Sequence, residues 1–379
     1  MLKPLSIYLF IRKILLFILS LFIVDRACSS FDKEKVSKIL VIRLDRIGDF
    51  MITTPLLKAL KARFPLSEIT LLARPNIRDL AGSQPWVDKT ISFKGKLSIL
   101  ALFKLGEKIK KENFDLSIDC LFDYTLKTAF LCYLSRARYI LGFDIDGRGV
   151  FLNLKVKPSG LKMGIVDETL NLLNAVGIES AQAKPELFVD KKELESVNNF
   201  LSREEVARND ILVAVHPGGH YPSQRWPWTR FCEVIDNISV QDDVKVVLVG
   251  SFLETGLLES IKKFSKRGVR IFRSASLPSL AALIERSDLL VCNNSGPLHM
   301  AAALKKPTVS TMGPTDSILW RPAGSGHVVL KAEVECSPCN RPICREHKCM
   351  AAIEAAEVSK VVSLEIDRIR KKRCVTPLV

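Results

Sequence analysis

The sequence lacks the signatures of several protein classes. It contains no zinc-finger spacing, no helix-turn-helix pattern and no aromatic–basic RNA-binding motif, so we expect no nucleic acid among its partners. It also has no short tandem repeat and no long low-complexity tract. Hydrophobic residues nevertheless make up 47% of the 379 residues. This share is enough for the cores of two domains of ordinary size and excludes a wholly disordered chain.

The sequence also lacks an uninterrupted apolar run long enough to cross a bilayer. Residues 7–24 are almost wholly apolar, but Arg12 and Lys13 interrupt them. The run that remains, Ile14–Val24, is shorter than the about 20 residues that a spanning helix needs.

Three polar residues mark one face of this N-terminal segment. Ser6, Lys13 and Ser20 recur every seven residues, so residues 1–30 are predicted to form an apolar helix that lies in the membrane interface. A signal peptide is one alternative, although an acidic and a basic residue precede its cleavage point. A transmembrane anchor over residues 4–24 is the other, at the cost of burying two charges.

The charge balance favours anionic partners. The formal net charge is +15 and the sequence pI is near 9.4. A chain of this kind attracts phosphorylated small molecules and acidic membrane surfaces.

Cysteine is abundant, with ten residues, and four of them lie in "CSPCNRPICREHKC": Cys336, Cys339, Cys344 and Cys349. Without a clear export signal, free thiols or a bound metal are favoured over a disulfide scaffold. Only the first pair has the close spacing typical of zinc ligands. A structural zinc site and a compact thiol-rich loop therefore both remain open.

Strand and helix patterns alternate along most of the chain, which predicts the α/β class with parallel sheets. We expect two doubly wound, Rossmann-like domains that face a central cleft, preceded by the N-terminal apolar helix. The predicted domains are residues 38–185 and 205–355, followed by a basic helix and tail over 357–379 that packs back on the first domain. The predicted strands are 38–44, 68–73, 90–93, 116–122 and 136–143, then 211–219, 244–251, 269–274, 288–294 and 307–315.

The first polar cluster is "RLDRIGDFM", which follows the first predicted strand. Gly48 permits a sharp turn there. Asp49 either caps the next helix or serves as a general base at the carboxyl edge of the sheet. Thr54 and Pro55 offer a rival helix start, with Thr54 as the cap.

The second cluster is "HPGGHYPSQRWPWTRF". Gly218 and Gly219 allow backbone N–H groups to approach an anion closely, and a helix follows them. Gln224 and Arg225 are placed to reach a diphosphate. The two tryptophans either stack on a ligand or anchor the helix.

The third cluster is "CNNSGPLHM". Asn294, Ser295 and the turn at Gly296 and Pro297 bring hydrogen-bond donors to the head of a helix that also carries His299. These residues cap the helix, bind a phosphate, or do both. Phosphate-binding groups on the second domain and a carboxylate on the first suit a nucleotide-sugar transferase.

Four ordered blocks carry a family resemblance that spans residues 38–355: "ILVIRLDRIGDFMITTPLLKAL", "HPGGHYPSQRWPWTRF", "DLLVCNNSGPLHMAAALKKPTVSTMGPTD" and "CSPCNRPICREHKCM". They resemble the family 9 glycosyltransferases, the bacterial ADP-heptose:lipopolysaccharide heptosyltransferases and their relatives. The resemblance implies a GT-B fold, an inverting mechanism and no catalytic metal. It also implies that Asp49 is the base and that Gly218 and Gly219 hold the donor diphosphate.

Two positions depart from the family pattern. Asn294 stands where the family has an acid, and Gln224 stands where it often has a lysine. Glu254 matches an acid suited to the ribose hydroxyls of the donor. The resemblance is therefore more specific for the family than for the sugar.

The function expected from these observations is transfer of a sugar, most simply heptose from ADP-heptose, onto a lipopolysaccharide-type or other lipid-linked glycan acceptor. Another nucleotide sugar as donor is one alternative. The enzyme is expected at the cytoplasmic face of the inner membrane, held peripherally by the N-terminal helix. A sugar-nucleotide epimerase of the same architecture is a second alternative. A sugar-nucleotide- or glycan-binding protein with reduced catalysis is the third.

Overall fold

The structure is a computed structural model that describes Arg12, Ile14, Leu16, Ile18 and the ranges 31–179 and 183–375. It divides into two compact units, Met1–Ala183 and Lys184–Val379. Most of the predicted N-terminal helix lies outside the described residues, so that part of the fold prediction has no structural support. Within the described ranges, no helix is both long enough and apolar enough to span a bilayer.

The first unit is built on one six-stranded sheet. Its strands are β1 (Lys38–Arg43), β2 (Glu68–Ala73), β3 (Lys89–Ser92), β4 (Leu116–Asp119), β5 (Tyr139–Phe143) and β6 (Leu154–Val156). Its helices are α1 (Ile47–Arg63), α2 (Pro75–Gly82), α3 (Ile99–Lys110), α4 (Leu126–Leu134) and α5 (Ile165–Leu170). All neighbouring strands are parallel, in the order β3-β2-β1-β4-β5-β6.

The second unit repeats this architecture. Its strands are β7 (Ile211–His216), β8 (Val244–Ser251), β9 (Arg270–Ser274), β10 (Leu289–Asn293), β11 (Thr308–Thr311) and β12 (His327–Leu330). Its helices are α6 (Lys191–Arg203), α7 (Trp228–Ile238), α8 (Thr255–Phe264), α9 (Leu277–Arg286), α10 (Gly296–Ala303), α11 (Lys348–Ala351) and α12 (Ala355–Val375). The strands are again parallel, in the order β12-β11-β10-β7-β8-β9.

Both sheets have the strand order of a dinucleotide-binding fold, and each order reverses once. The reversals fall between β1 and β4 and between β7 and β10. Ligands of open parallel sheets bind at such a switch point, outside the carboxyl ends of the strands. The prediction of an α/β fold with two doubly wound parallel sheets is confirmed.

The predicted strands correspond to ten observed ones, and two were missed. The central strands are easily predicted because they are buried on both faces: all six residues of β7 are buried. The missed strands, β6 and β12, are short and lie at sheet edges. An edge strand is covered on fewer sides, so it lacks the continuous apolar run that marks a central strand.

The apolar face of the basic helix α12 packs in the core of the second unit. Val358, Val362 and Ile366 recur every four residues and are fully buried in the core of the second unit. The same core contains Phe231 and Ile235 of α7. The apolar stripe of α12 therefore completes the second unit, and its basic residues lie on the other face.

Candidate active site

Asp49 lies at the carboxyl edge of the first sheet, in the first turn of α1. Its Oδ2 accepts a hydrogen bond from the backbone N–H of Arg46 at 3.1 Å, so the side chain does cap the helix. Its side chain nevertheless keeps 16% of its surface exposed. The capping role therefore leaves part of the carboxylate open to a ligand.

The guanidinium of Arg43, at the end of β1, organises this edge. It is almost wholly buried and donates to the carbonyl oxygens of Asp49 at 3.0 Å and Cys120 at 2.5 Å. It also lies 3.6 Å from one carboxylate oxygen each of Asp45 and Asp49. Because burial disfavours the charged form, the pKa of Asp45 is raised to about 6, despite the opposing effect of Arg43. Asp45 and Asp49 are therefore two carboxyls that share one buried cation.

The rival helix start at Thr54 and Pro55 is wrong. Helix α1 begins at Ile47 and contains Pro55 in its interior. A proline there leaves one carbonyl oxygen without its helical N–H partner. The hydroxyl of Thr54 compensates by donating to the carbonyl oxygen of Met51 at 2.8 Å. This local repair allows the helix to continue past the proline.

A buried ion pair between Asp119 and Arg148, which sequence reasoning missed, supports the same edge. Both side chains are inaccessible to solvent, and the guanidinium donates to the carboxylate. Arg148 also donates to the carbonyl oxygens of Leu121 at 2.5 Å and Asp123 at 2.6 Å. These bonds fix the loop after β4, on the other side of the switch point. Asp119, an acid at the end of the fully buried strand β4, was the feature of the sequence that could have indicated this pair.

In the second unit, Gly218 follows β7 and approaches the carboxylate of Glu254 closely. A Cβ atom at Gly218 would lie 1.8 Å from Oε1 of Glu254. The other carboxylate oxygen accepts hydrogen bonds from the N–H and the hydroxyl of Ser251, at 2.8 and 2.9 Å. Nε2 of His216 lies 3.8 Å from Oε1, and burial lowers the pKa of this histidine. Glycine is therefore required by the close approach of the acid to the loop.

Asn293, at the end of β10, ties the connection between β7 and α7 to the end of β11. Its amide nitrogen donates to the carbonyl oxygens of Pro217 and Gly218, at 2.8 and 2.9 Å. Its oxygen accepts from the N–H of Trp226 at 3.0 Å and the hydroxyl of Thr311 at 2.9 Å. This buried side chain uses its hydrogen-bonding groups structurally, so it holds the glycine loop without binding a ligand itself.

Gln224 and Arg225 lie on the same loop system. The Gln224 amide donates to the hydroxyl of Thr315 at 3.1 Å, which joins the loop after β7 to the loop after β11. The exposed Arg225 donates from Nε to the carbonyl oxygen of Gly219 at 2.8 Å. This bond holds the arginine at the glycine pair. Trp226 is an anchor: it is buried, and its indole N–H donates to the carbonyl oxygen of Ile353 at 3.0 Å.

The turn that begins α10 lies beside this loop. Ser295 occupies the capping position, but its hydroxyl donates to the carbonyl oxygen of Asn293 at 3.2 Å and does not cap the helix. Gly296 and Pro297 form the first turn of α10. The leading N–H groups of a helix attract anions. Asn294 and His299 are both buried at this turn. The predicted residues of the third cluster therefore lie together at the N-terminus of α10.

The cysteine-rich loop is attached to the Gln224 segment, a contact that the sequence did not predict. Ser223 accepts a hydrogen bond from the ring of His347, with 2.9 Å between Nε2 and the carbonyl oxygen. The Ser223 hydroxyl donates to the carbonyl oxygen of Arg341 at 2.5 Å. The N–H of His347 in turn donates to Sγ of Cys344 at 3.3 Å. The loop therefore braces the segment that carries Gln224 and Arg225.

The four cysteines of this loop are neighbours, and all are free thiols. Burial raises the pKa of Cys349, and the nearby thiols of Cys336, Cys339 and Cys344 raise it further. Across the part of the chain that the structure describes, no group of three or more His, Cys, Asp or Glu side chains is placed to hold a metal ion. The predicted structural zinc site therefore gains no support from the geometry.

Comparison with known proteins places this architecture in one family. The model of the family described as "Glycosyltransferase family 9 (heptosyltransferase)" matches residues 102–350. The chain is 24% identical to lipooligosaccharide heptosyltransferase 2 of Haemophilus ducreyi, over 78% of this chain and 88% of that protein. It is 25% identical to lipopolysaccharide heptosyltransferase 2 of Escherichia coli K12, over 73% of this chain and 83% of that protein.

Solved structures share the fold. The glycosyl transferase family 9 protein of Veillonella parvula DSM 2008 matches with a TM-score of 0.76 and 22% identity, over 90% of this chain and 100% of that chain. The E. coli ADP-heptose lps heptosyltransferase II matches with a TM-score of 0.71 and 22% identity, over 87% and 99%. Together with the family match over more than half of the sequence, these findings show that the chain belongs to glycosyltransferase family 9 and is a glycosyltransferase.

Proposed function

We propose that the protein is an inverting heptosyltransferase that transfers heptose from ADP-heptose to a hydroxyl of a lipopolysaccharide-type acceptor. The proposal rests on the polar groups that lie at the switch points of the two sheets. The first sheet presents a partly exposed carboxylate there, and the second presents a glycine loop beside a helix N-terminus. The first suits proton abstraction and the second suits a diphosphate.

The donor diphosphate is assigned to the second unit. The buried Gly218 and the partly exposed Gly219 carry no side chains over this loop, and Arg225 is held at Gly219 by its Nε. Its planar guanidinium suits bidentate contact with phosphate oxygens. The E. coli heptosyltransferase WaaC, which shares the fold with a TM-score of 0.66 over 86% of this chain, has been solved with ADP and with ADP-2-deoxy-2-fluoro heptose. Glu254, beside Gly218, is assigned to the ribose hydroxyls.

Asp49 is assigned as the general base. The carboxylate takes the proton of the acceptor hydroxyl while the hydroxyl oxygen bonds to the anomeric carbon. The bond from that carbon to the diphosphate oxygen breaks in the same displacement, and ADP leaves with the bonding electron pair. The configuration at the carbon is therefore inverted. Backbone N–H groups and Arg225 stabilise the charge that develops on ADP, so the protein groups supply this chemistry without a catalytic metal.

The two departures from the family pattern bear on the donor. Asn294 replaces an acid by a neutral amide, and Gln224 replaces a cation by an amide that bonds Thr315. Both changes reduce charge beside the donor without removing hydrogen-bonding capacity. ADP-heptose remains the donor that the family favours, and a panel of nucleotide sugars tests this assignment directly.

The enzyme is placed at the cytoplasmic face of the inner membrane, bound peripherally. The support for this is the apolar N-terminal sequence with its basic residues, and the lipid nature of the proposed acceptor. Fractionation of cells that express the full chain would test this location.

The decisive test is substitution of Asp49 by Asn and by Ala. Asn retains a side-chain oxygen for the N–H of Arg46, so the cap of α1 survives while basicity is lost. We expect both variants to lose about 10²–10⁴ in transfer rate, with ADP affinity unchanged because the donor groups lie on the second unit. Transfer by folded Asp49→Asn within a few-fold of wild type would show that another group is the base.

A further inference from the structure

The start of α3 exposes three large apolar side chains, of which Phe103 also packs edge-on against the ring of Phe130, with 5.7 Å between ring centroids. Ile99 is 75% exposed, Leu100 is 65% exposed and Phe103 is 49% exposed. The other face of the same helix is buried, with Leu102 and Leu105 in the core of the first unit. The buried face of the helix therefore packs without Ile99 and Leu100. Apolar side chains grouped on a surface mark a site of interaction.

The chain segment that carries this group is basic. Lys94, Lys96 and Lys104 are exposed, and the sequence has no Asp or Glu between Asp88 and Glu107. Within the described ranges, none of these three lysines forms an ion pair. Apolar side chains bordered by lysines are typical of surfaces that bind the headgroup region of anionic membranes. Residues 94–104 are referred to below as the 94–104 surface.

The 94–104 surface lies at the same sheet edge as Asp49. Arg74 connects the two: its Nε donates to the carbonyl oxygen of Leu44 at 2.8 Å, and its Nη1 donates to that of Gly95 at 3.2 Å. Leu44 directly follows β1 and leads into the loop before Asp49. Helix α3 also begins at this edge, because it follows the carboxyl end of β3.

The N-terminal segment reaches the same part of the first unit. Leu16 belongs to the core cluster that contains Leu102 and Leu105. The neighbouring Ile14 and Ile18 are about half exposed, at 47% and 48%. Leu16, one residue of the predicted membrane-interface segment, therefore packs into the core that carries α3.

We infer that the 94–104 surface docks on an anionic lipid bilayer, with Ile99, Leu100 and Phe103 inserted among the headgroups and the three lysines on lipid phosphates. A second copy of the chain fits this surface poorly, because a two-fold interface would bring the lysines of both copies together. The inference extends the proposed function, since it would present the edge that carries Asp49 to a lipid acceptor. The binding itself requires no transfer.

The test compares full-length variants on vesicles of phosphatidylcholine with and without phosphatidylglycerol. Ile99→Ser with Leu100→Ser removes the two most exposed of the inserted side chains, at 75% and 65%. The matched control is Leu66→Ser with Val240→Ser, which removes two apolar side chains that are 98% and 57% exposed and lie before β2 and β8, at the amino edges of the two sheets. We expect the first variant to bind anionic vesicles about tenfold more weakly than wild type and the control to bind like wild type.

A second variant tests the charges without risk to packing. Lys94→Gln, Lys96→Gln and Lys104→Gln together should reduce the preference for phosphatidylglycerol and its sensitivity to salt. The inference is wrong if both variants bind anionic vesicles like wild type. It is also wrong if light scattering shows a wild-type dimer that the apolar variant converts to a monomer. Wild-type protein that binds anionic vesicles but transfers no sugar to a soluble acceptor would instead count against the proposed function.

Discussion

Gly218→Ala tests how tightly the glycine loop is fitted against Glu254. The new methyl group would lie 1.8 Å from Oε1 of Glu254 and 3.0 Å from Cε1 of His216, so the carboxylate must move. Movement strains or breaks two hydrogen bonds from Ser251, at 2.8 and 2.9 Å. Overpacking of this kind costs about 1–3 kcal/mol in the free energy of unfolding. Because the loop is the assigned diphosphate site, we also expect the Kd for ADP to rise about tenfold or more.

The assay is a double-mutant cycle with Glu254→Ala, measured by urea unfolding and by ADP titration. Glu254→Ala loses the Ser251 hydrogen bonds but vacates the space that the new methyl needs. We therefore expect the double variant to be no less stable than Glu254→Ala alone, which gives a coupling energy of about 1–3 kcal/mol. Gly219→Ala is the control, because its Cβ would meet only Cγ of Arg225 at 3.3 Å and the carbonyl oxygen of Gln224 at 4.0 Å. Additive effects of Gly218→Ala and Glu254→Ala would refute the reasoning.

Four further outcomes follow from the structure. The pKa of Asp45 is raised to about 6. The stabilising contribution of its neutral form is therefore full below about pH 4 and is lost as pH rises through 6. Asp45→Asn should flatten this decline in the free energy of unfolding across that range. Deletion of residues 1–30 should leave a folded chain that is less stable by about 1.5–3 kcal/mol, because Leu16 packs in the core of the first unit; unchanged stability on urea unfolding would contradict this packing. His347→Ala, which releases the brace on Ser223, should raise KM for the donor more than it lowers kcat in steady-state kinetics. Elemental analysis of protein purified without added metal should find far less than one equivalent of zinc, and a full equivalent that Cys339→Ser removes would contradict this.

The sequence determined the alternation of strands and helices because buried parallel strands must be apolar along their whole length. It also determined where the polar clusters stand, since each follows a strand that can be recognised from its residues. Sequence resemblance further indicated the family, which the comparisons confirm, together with roles for Asp49 and Gly218 that remain to be tested. Edge strands such as β6 were not predicted because neighbouring elements bury fewer of their residues.

Only the tertiary structure decided which distant residues meet. Asn293 bonds to the loop after β7 and to the end of β11. The attachment of His347 to Ser223 and the pairing of Asp119 with Arg148 likewise join separate parts of the chain. No local periodicity encodes such contacts, because they depend on strand order and on the exact depth at which each loop lies. The requirement for glycine at position 218 has the same origin. The sequence shows a flexible residue there, but only the packed fold shows the carboxylate of Glu254 against it.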